Sequence, residues 1–156
     1  MNSKNLFHLI LIKVIGTVHR LSSDEDERDL NSICQIVIKP RFLDGLEGID
    51  GFSHIYVIFW MDRLSHKKQP RLQFQNSQFD QSIGVFATRS PIHPNPIGLT
   101  IVELIKHDRN ILWVKGLDAL DGTPVIDLKP YPYWEQGQLK IITDVRIPDW
   151  LKKKLI

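Results

Sequence analysis

The chain has 156 residues, 42% of them hydrophobic, which is room for one domain that buries its own core without disulfides or a structural metal. Lys and Arg number 20 against 18 Asp and Glu, and a net charge of +2 neither demands nor forbids an anionic partner, since a local basic patch can meet one. A lone cysteine, Cys34, excludes an internal disulfide and any multi-cysteine metal site. The longest apolar stretches, Leu9 to Ile12 and Ile55 to Met61, are too short to span a membrane, and no cationic, apolar and cleavage segments follow one another at the N-terminus. The expectation is a soluble, cytoplasmic protein in a reducing compartment.

In chain order, the β-branched run from Leu9 to Val18, ending near Gly16, predicts a first strand. The acidic stretch Ser22 to Asn31 shows neither a two-fold nor a 3.6-fold apolar pattern and reads as an exposed loop or short surface helix. Ile33 to Ile38 is a second strand, stopped by Pro40, and the three glycines of Phe42 to Gly51 suit a reversal or a short helical turn. Ser53 to Met61 carries apolar residues on both alternating sets, the pattern of a strand covered on both faces. The Gln-rich segment Gln69 to Ser82 reads as a long irregular insertion of the kind that often covers a site.

Further strands are expected at Ile83 to Ala87, Leu99 to Lys106 and Ile111 to Leu117, the last two joined as a hairpin by His107-Asp108-Arg109-Asn110. Val125 to Leu128 and Leu139 to Val145 add two more, and Pro148-Asp149 followed by Trp150, Leu151 and Leu155 predicts a short C-terminal helix. Many short strands at roughly ten-residue spacing argue for a mainly β, single-domain β-barrel with short peripheral helices over residues 1–156. No Gly-x-Gly-x-x-Gly turn joins a strand to a helix, which argues against a doubly wound nucleotide-binding fold.

Three segments carry groups suited to chemistry. In Gly84 to Leu99 a strand runs into a loop with three prolines, Pro91, Pro94 and Pro96, which fix φ, remove donors and stiffen the loop before any ligand arrives. Arg89 stands at its entrance, either as a two-pronged clamp for a carboxylate or phosphate or as a surface ion-pair partner. His93 reads first as a turn histidine bonded to the backbone. In Gly116 to Pro124, the aspartates Asp118 and Asp121 could accept hydrogen bonds from a ribose or face a sulfonium, although Asp121-Gly122 is equally ordinary turn chemistry.

Tyr131, Tyr133 and Trp134 could stack on bases or pack against Pro130 and Pro132. The third segment, Gly45 to His54 with its following strand, ends in Asp62-Arg63, a strand-end position suited to a site, whereas His54 suits a structural role. Lys152 to Lys154 fit a solvated helix face better than a phosphate contact.

Four motifs in one order, Leu-Glu-Gly-Ile-Asp-Gly-Phe-Ser-His from Leu46, Gly-Val-Phe-Ala-Thr-Arg-Ser-Pro from Gly84, Pro-Asn-Pro-Ile-Gly-Leu from Pro94 and Leu-Asp-Ala-Leu-Asp-Gly-Thr-Pro from Leu117, resemble the TsaA/TrmO-like tRNA methyltransferases over about residues 15–131. The resemblance implies a single-sheeted barrel, usually a homodimer, that uses S-adenosylmethionine to methylate N6 of threonylcarbamoyladenosine beside the anticodon of tRNA(Thr). By motif position it implies cofactor contacts at Asp62, Arg63, Arg89, Leu99, Asp118, Ala119, Leu120 and Asp121. His93, Asn95, Lys129 and Tyr131 are the candidate substrate contacts. Methyl transfer from a sulfonium is an in-line displacement that positioning can accelerate without a metal, so no metal is expected, and the short apolar stretches give no expectation of a membrane. Asp121 and Tyr131 are the candidates for a catalytic base.

The chain departs from the family pattern twice. The Pro-Arg-Gln stretch common after the first strand is missing from Leu21 to Ser32, and Asp62-Arg63 stands where many relatives have His-Gln. Two alternatives stay open: a methyltransferase for another RNA or a small molecule, and a non-catalytic RNA-binding barrel.

Overall fold

The computed structural model describes residues 10–21, 29–65, 72–76, 81–131, 133–135 and 138–140. Its strands, in chain order, are β1 (Gly16–Arg20), β2 (Ile33–Ile38), β3 (His54–Trp60), β4 (Gln73–Asn76), β5 (Gln81–Gly84), β6 (Ile97–Asp108), β7 (Ile111–Lys115), β8 (Pro124–Tyr131), β9 (Tyr133–Glu135) and β10 (Gln138–Lys140). Six of them close a barrel in the order β1-β2-β7-β6-β3-β8, and β4-β5 and β9-β10 form two separate ribbons. One helix, α1 (Asp62–Ser65), and 3-10 turns at Pro40–Leu46, Ile49–Gly51 and Val85–Ala87 make up the rest of the regular structure among the described residues.

Period-two alternation builds this barrel, because successive side chains of a strand point to opposite faces. On β3, Ile55, Val57 and Phe59 are buried at 4% exposure or less, and His54, Tyr56, Ile58 and Trp60 face outward and are partly covered. Cys34, Ile36 and Ile38 from β2, Leu112 and Val114 from β7, Val102 from β6 and Val125 from β8 fill the same interior. Burial is the main influence on the Cys34 thiol and pushes its pKa up, leaving it a small core hydrophobe.

The barrel expected from strand spacing is therefore present, with five local corrections. First, the Leu9 to Val18 strand begins only at Gly16, where the chain first meets partners in β2 and β8, and Ile10, Leu11 and Ile12 before it are exposed. Second, the insertion expected to be irregular contains the β4-β5 hairpin, whose polar residues gave no alternation to read.

Third, the strand expected at Ile83 to Ala87 ends at Gly84, where the ladder with β4 ends, and a 3-10 turn follows that buries Val85 alone and leaves Phe86 79% exposed. Fourth, β3 is closed on the core face only, its outer face being half-covered. Fifth, Asp62 to Ser65 turns into the short helix α1.

The expected hairpin forms as β6-β7. Strand β8 extends through Pro130, which is tolerated because β1 pairs with β8 only at Pro124 and Val125, so beyond them that edge owes no ladder donor. The Leu139 to Val145 strand overlaps β10, while its remainder, the predicted C-terminal helix and most of the Ser22 to Asn31 loop lie outside the described residues.

Candidate functional site

The site follows from a mismatch in strand length. Strand β6 pairs with β3 along Ile97 to Glu103 but with β7 only from Glu103 onward, so Ile97 to Val102 present an edge that no strand among the described residues covers on the β7 side. After Lys115 the chain leaves the sheet at Gly116, whose φ of 93° requires glycine, crosses the end of the barrel, and enters β8 through the Asp121-Gly122 turn, where Gly122 has φ 76°. The gap between this crossing segment and the open edge of β6 is a cleft at the barrel rim.

Specific contacts hold it in shape. Thr100 Oγ1 donates to Asp118 Oδ1 at 2.5 Å across the gap, and Arg89 Nη2 donates to the Leu99 carbonyl at 2.7 Å, so the proline-stiffened loop docks on the open strand edge. Arg63 Nη2 donates to the Asp121 carbonyl at 2.6 Å, and the Asp121 carboxylate accepts the Arg20 backbone N–H at 2.9 Å. Gly98 is required at its place: a Cβ there would lie 2.2 Å from the ring of Phe59, which forms part of the cleft wall.

The cleft comprises two adjoining hollows. One, of about 240 Å³, is lined by Phe59, Met61, Asp62, Arg63, Arg89, Pro91, Asp118, Ala119, Leu120 and Thr123. The other, of about 230 Å³, is lined by Leu30, Tyr56, Arg89, Leu99, Thr100, Ile101, Gly116 and Asp118. Arg89 and Asp118 border both, so a cation and a carboxylate stand between an apolar wall of Phe59, Met61 and Leu120 and the edge of β6.

Seven of the eight residues singled out for the cofactor thus line one continuous cleft, and Asp121 adjoins it through its contacts with Arg63 and Arg20. The residues singled out for the substrate are spread more widely. His93 Nε2 lies 3.3 Å from the Thr88 carbonyl and its ring 5.9 Å edge-on from Phe86, in keeping with a turn histidine, and Asn95 is exposed in the same loop. Tyr131 packs edge-on against Tyr56 with ring centroids 5.3 Å apart, and Tyr56 borders the second hollow.

Lys129 lines neither hollow of the cleft, although it stands opposite Tyr56 in the β3-β8 ladder. It pairs with Asp127 at 2.8 Å and borders a larger hollow of about 500 Å³ at the opposite end of the barrel, near Phe42 and Phe52. None of the residues expected at the cofactor reaches that hollow, so size alone does not mark the site. Sequence reading passed over Phe59, Thr100, Tyr56 and Arg20. A register pairing Phe59 with Gly98 would have been the one signal for the first, and the others are brought in by tertiary approach.

A closed antiparallel barrel with a rim cleft offering arginines, a carboxylate, an open strand edge and an apolar wall defines a small barrel protein built to hold a polar, charged small molecule. The chain belongs to the tRNA-methyltransferase O N-terminal domain family, which it matches over residues 26–135. It is 40% identical over 127 residues to a protein of Archaeoglobus fulgidus described as an S-adenosyl-L-methionine-binding protein, covering 78% of this chain and 89% of that one.

It is also 39% identical over 92 residues to the mouse tRNA (adenine(37)-N6)-methyltransferase, covering 55% of this chain and 20% of the mouse protein. The crystal structure of TrmO from Pseudomonas aeruginosa superposes with a TM-score of 0.65 at 28% identity, covering 89% of this chain. This chain spans 62% of that structure's length, under two thirds.

Proposed function

We propose that this chain is a cytoplasmic S-adenosylmethionine-dependent methyltransferase that acts as a homodimer on N6 of an adenosine in tRNA, threonylcarbamoyladenosine beside the anticodon of tRNA(Thr). The observation that carries the reading is the convergence, on one cleft, of residues from the motifs that start at positions 84, 94 and 117 of the sequence and from the end of strand β3 with Asp62 and Arg63 after it, whereas the motif that starts at 46 borders the larger hollow. Family membership and the descriptions of the Archaeoglobus and mouse relatives support it.

The cleft fits the cofactor's chemistry. Arg89 and Arg63 offer guanidinium donors for an amino-acid carboxylate. Asp118, held by Thr100, offers negative charge to a sulfonium or an acceptor to a ribose hydroxyl, and the uncovered edge of β6 presents backbone groups suited to the rim of a base. Phe59, Met61 and Leu120 supply the apolar wall that excludes water. S-adenosylmethionine, when bound, supplies a methyl group on a sulfonium.

The chain's task is to hold the acceptor nitrogen in line with that methyl, and displacement of this kind draws its acceleration from positioning and needs no Lewis acid. A urea-like nitrogen must also lose a proton, and Asp121 and Tyr131 are the groups proposed to take it. His93, Asn95, Lys129 and Tyr131 are proposed as contacts to the RNA.

Calorimetry in the presence of chelator is expected to show S-adenosylmethionine binding at one site per chain. Mass spectrometry of tRNA nucleosides from cells with and without the protein is expected to show loss of the N6-methylated species. Failure of well-folded protein to bind the cofactor removes the methyltransferase reading in favour of an RNA-binding barrel. Binding with unchanged tRNA nucleosides redirects it to another acceptor.

A further inference from the structure

Arg20 closes β1, and its side chain is not held by any carboxylate among the described residues. Nη2 donates to the Leu117 carbonyl at 2.6 Å and to the Ala119 carbonyl at 3.0 Å, and Nε donates to the Ala119 carbonyl at 3.1 Å. Nη1 donates to Ser32 Oγ at 2.9 Å and to the Asp29 carbonyl at 3.4 Å, while Ser32 Oγ itself donates to the Asp29 carbonyl at 2.7 Å. A guanidinium has five N–H donors in a rigid fork, and here the fork spans two segments that are not otherwise joined through it.

The two carbonyls it grips flank Asp118. Leu117 and Ala119 are buried at 1% and 2% exposure, whereas Asp118 between them is exposed and reaches Thr100 across the cleft. The crossing segment has no strand partner among the described residues, so its path depends on side-chain contacts, and Arg20, which lines neither hollow, supplies three of them. The same residue's backbone N–H takes Asp121 Oδ1, which secures the far end of the segment.

We propose that Arg20 is a positioning residue for the cofactor cleft: by clamping the Leu117 and Ala119 carbonyls it fixes the peptide that aims Asp118 and lays Ala119 and Leu120 along the cleft wall. This rests on the assignment of the cleft to S-adenosylmethionine. It also ties that cleft to Asp29–Ser32, whose Leu30 lines the second hollow, through the bonds from Nη1 to Ser32 Oγ and the Asp29 carbonyl. An ammonium at this position keeps the charge but engages fewer carbonyls and lacks the planar fork.

The test is calorimetric titration of full-length Arg20→Lys and Arg20→Ala with S-adenosylmethionine, beside wild type and Arg41→Ala. Arg41 is an exposed arginine at the opposite end of the barrel. At a temperature where melting curves show every variant fully folded, a residue that merely stabilises the fold leaves Kd unchanged, because the apparent Kd is then not divided by a reduced competent fraction. A residue that sets the cleft changes Kd in the chains that do bind.

Arg20→Lys is expected to bind at one site per chain with Kd raised roughly tenfold, the loss of one to two hydrogen bonds to a charged donor. Arg20→Ala is expected to be weaker still, and Arg41→Ala to match wild type. Wild-type Kd for Arg20→Lys, whether at full or reduced stoichiometry, overturns the proposal. Absence of binding by wild type overturns the cofactor assignment instead, so the two failures are distinct.

Discussion

Arg89 is the residue on which sequence and geometry agree most closely. The loop that follows it is stiffened by three prolines, its guanidinium caps an open carbonyl at Leu99, and it borders both hollows. Arg89→Ala is expected to weaken S-adenosylmethionine binding by roughly 1.5–3 kcal/mol, the range for a hydrogen bond to a charged group. Arg89→Lys is expected to recover only part of this, because it keeps charge without the planar fork. The measurement is cofactor affinity of both variants beside their melting temperatures, and near-wild-type affinity in a folded Arg89→Ala protein returns this arginine to a surface role. Arg89 was legible because it lies in a motif; Arg20 was not, because its partners Leu117 and Ala119 are nearly a hundred residues away and are backbone carbonyls that no side-chain pattern announces.

At the scale of elements, the β6-β7 hairpin is latched to the Ile49–Gly51 turn by one ionic contact. His107 Nδ1 lies 3.0 Å from Asp50 Oδ2 and Nε2 lies 2.7 Å from the Arg109 carbonyl. Both partners only accept, so the ring satisfies them only when both nitrogens carry protons. The hydrogen bond to Asp50 is the main cause that raises the His107 pKa above 6.5.

A raised folded-state pKa contributes stability that is fully present below the unfolded value and is lost as pH rises through the folded value. Asp50→Asn is therefore expected to lower the unfolding midpoint at pH 5.5 relative to wild type, estimated on a reference pKa of about 6.5 for free histidine, and to have little effect near pH 9. Denaturant titrations at the two pH values check this, and an equal loss at both would show that the contact does not act through protonation. Sequence reading found this hairpin through its turn residues. It missed β4-β5 because Gln73 to Asn76 and Gln81 to Gly84 supply pairing without an apolar alternation, and it overran β1 because apolar content alone does not say where a partner strand begins.

For the whole molecule, the outward face of β6 leaves Ile97, Leu99, Ile101 and Ile105 between 42% and 45% exposed. An apolar row of this length on a sheet surface fits a self-complementary contact with a second copy. Sedimentation is expected to give twice the chain mass for wild type, and Ile105→Lys, which lies outside both hollows, is expected to shift it toward monomer. A monomeric wild type at micromolar concentration would remove the homodimer from the proposal. The barrel as a class was legible because closure requires only many short alternating strands, and the motif positions identified most of the cleft. The strand order and the overhang of β6 were not legible, because they depend on register, which a one-residue slip rewrites without changing composition.

The barrel is closed by its narrowest junction. Between β1 and β8 only Gly16 and Thr17 stand opposite Val125 and Pro124, helped by the Val18 N–H to the Thr123 carbonyl and the Gly122 N–H to the Val18 carbonyl. These contacts join the first strand to the last barrel strand, so the chain entropy of a very long loop opposes them until the other strands are in place. Because Arg20 and the Asp118 segment lie beside this junction, the cleft is complete only when the first and last barrel strands are joined. Opening of that junction therefore takes the frame of the cleft with it.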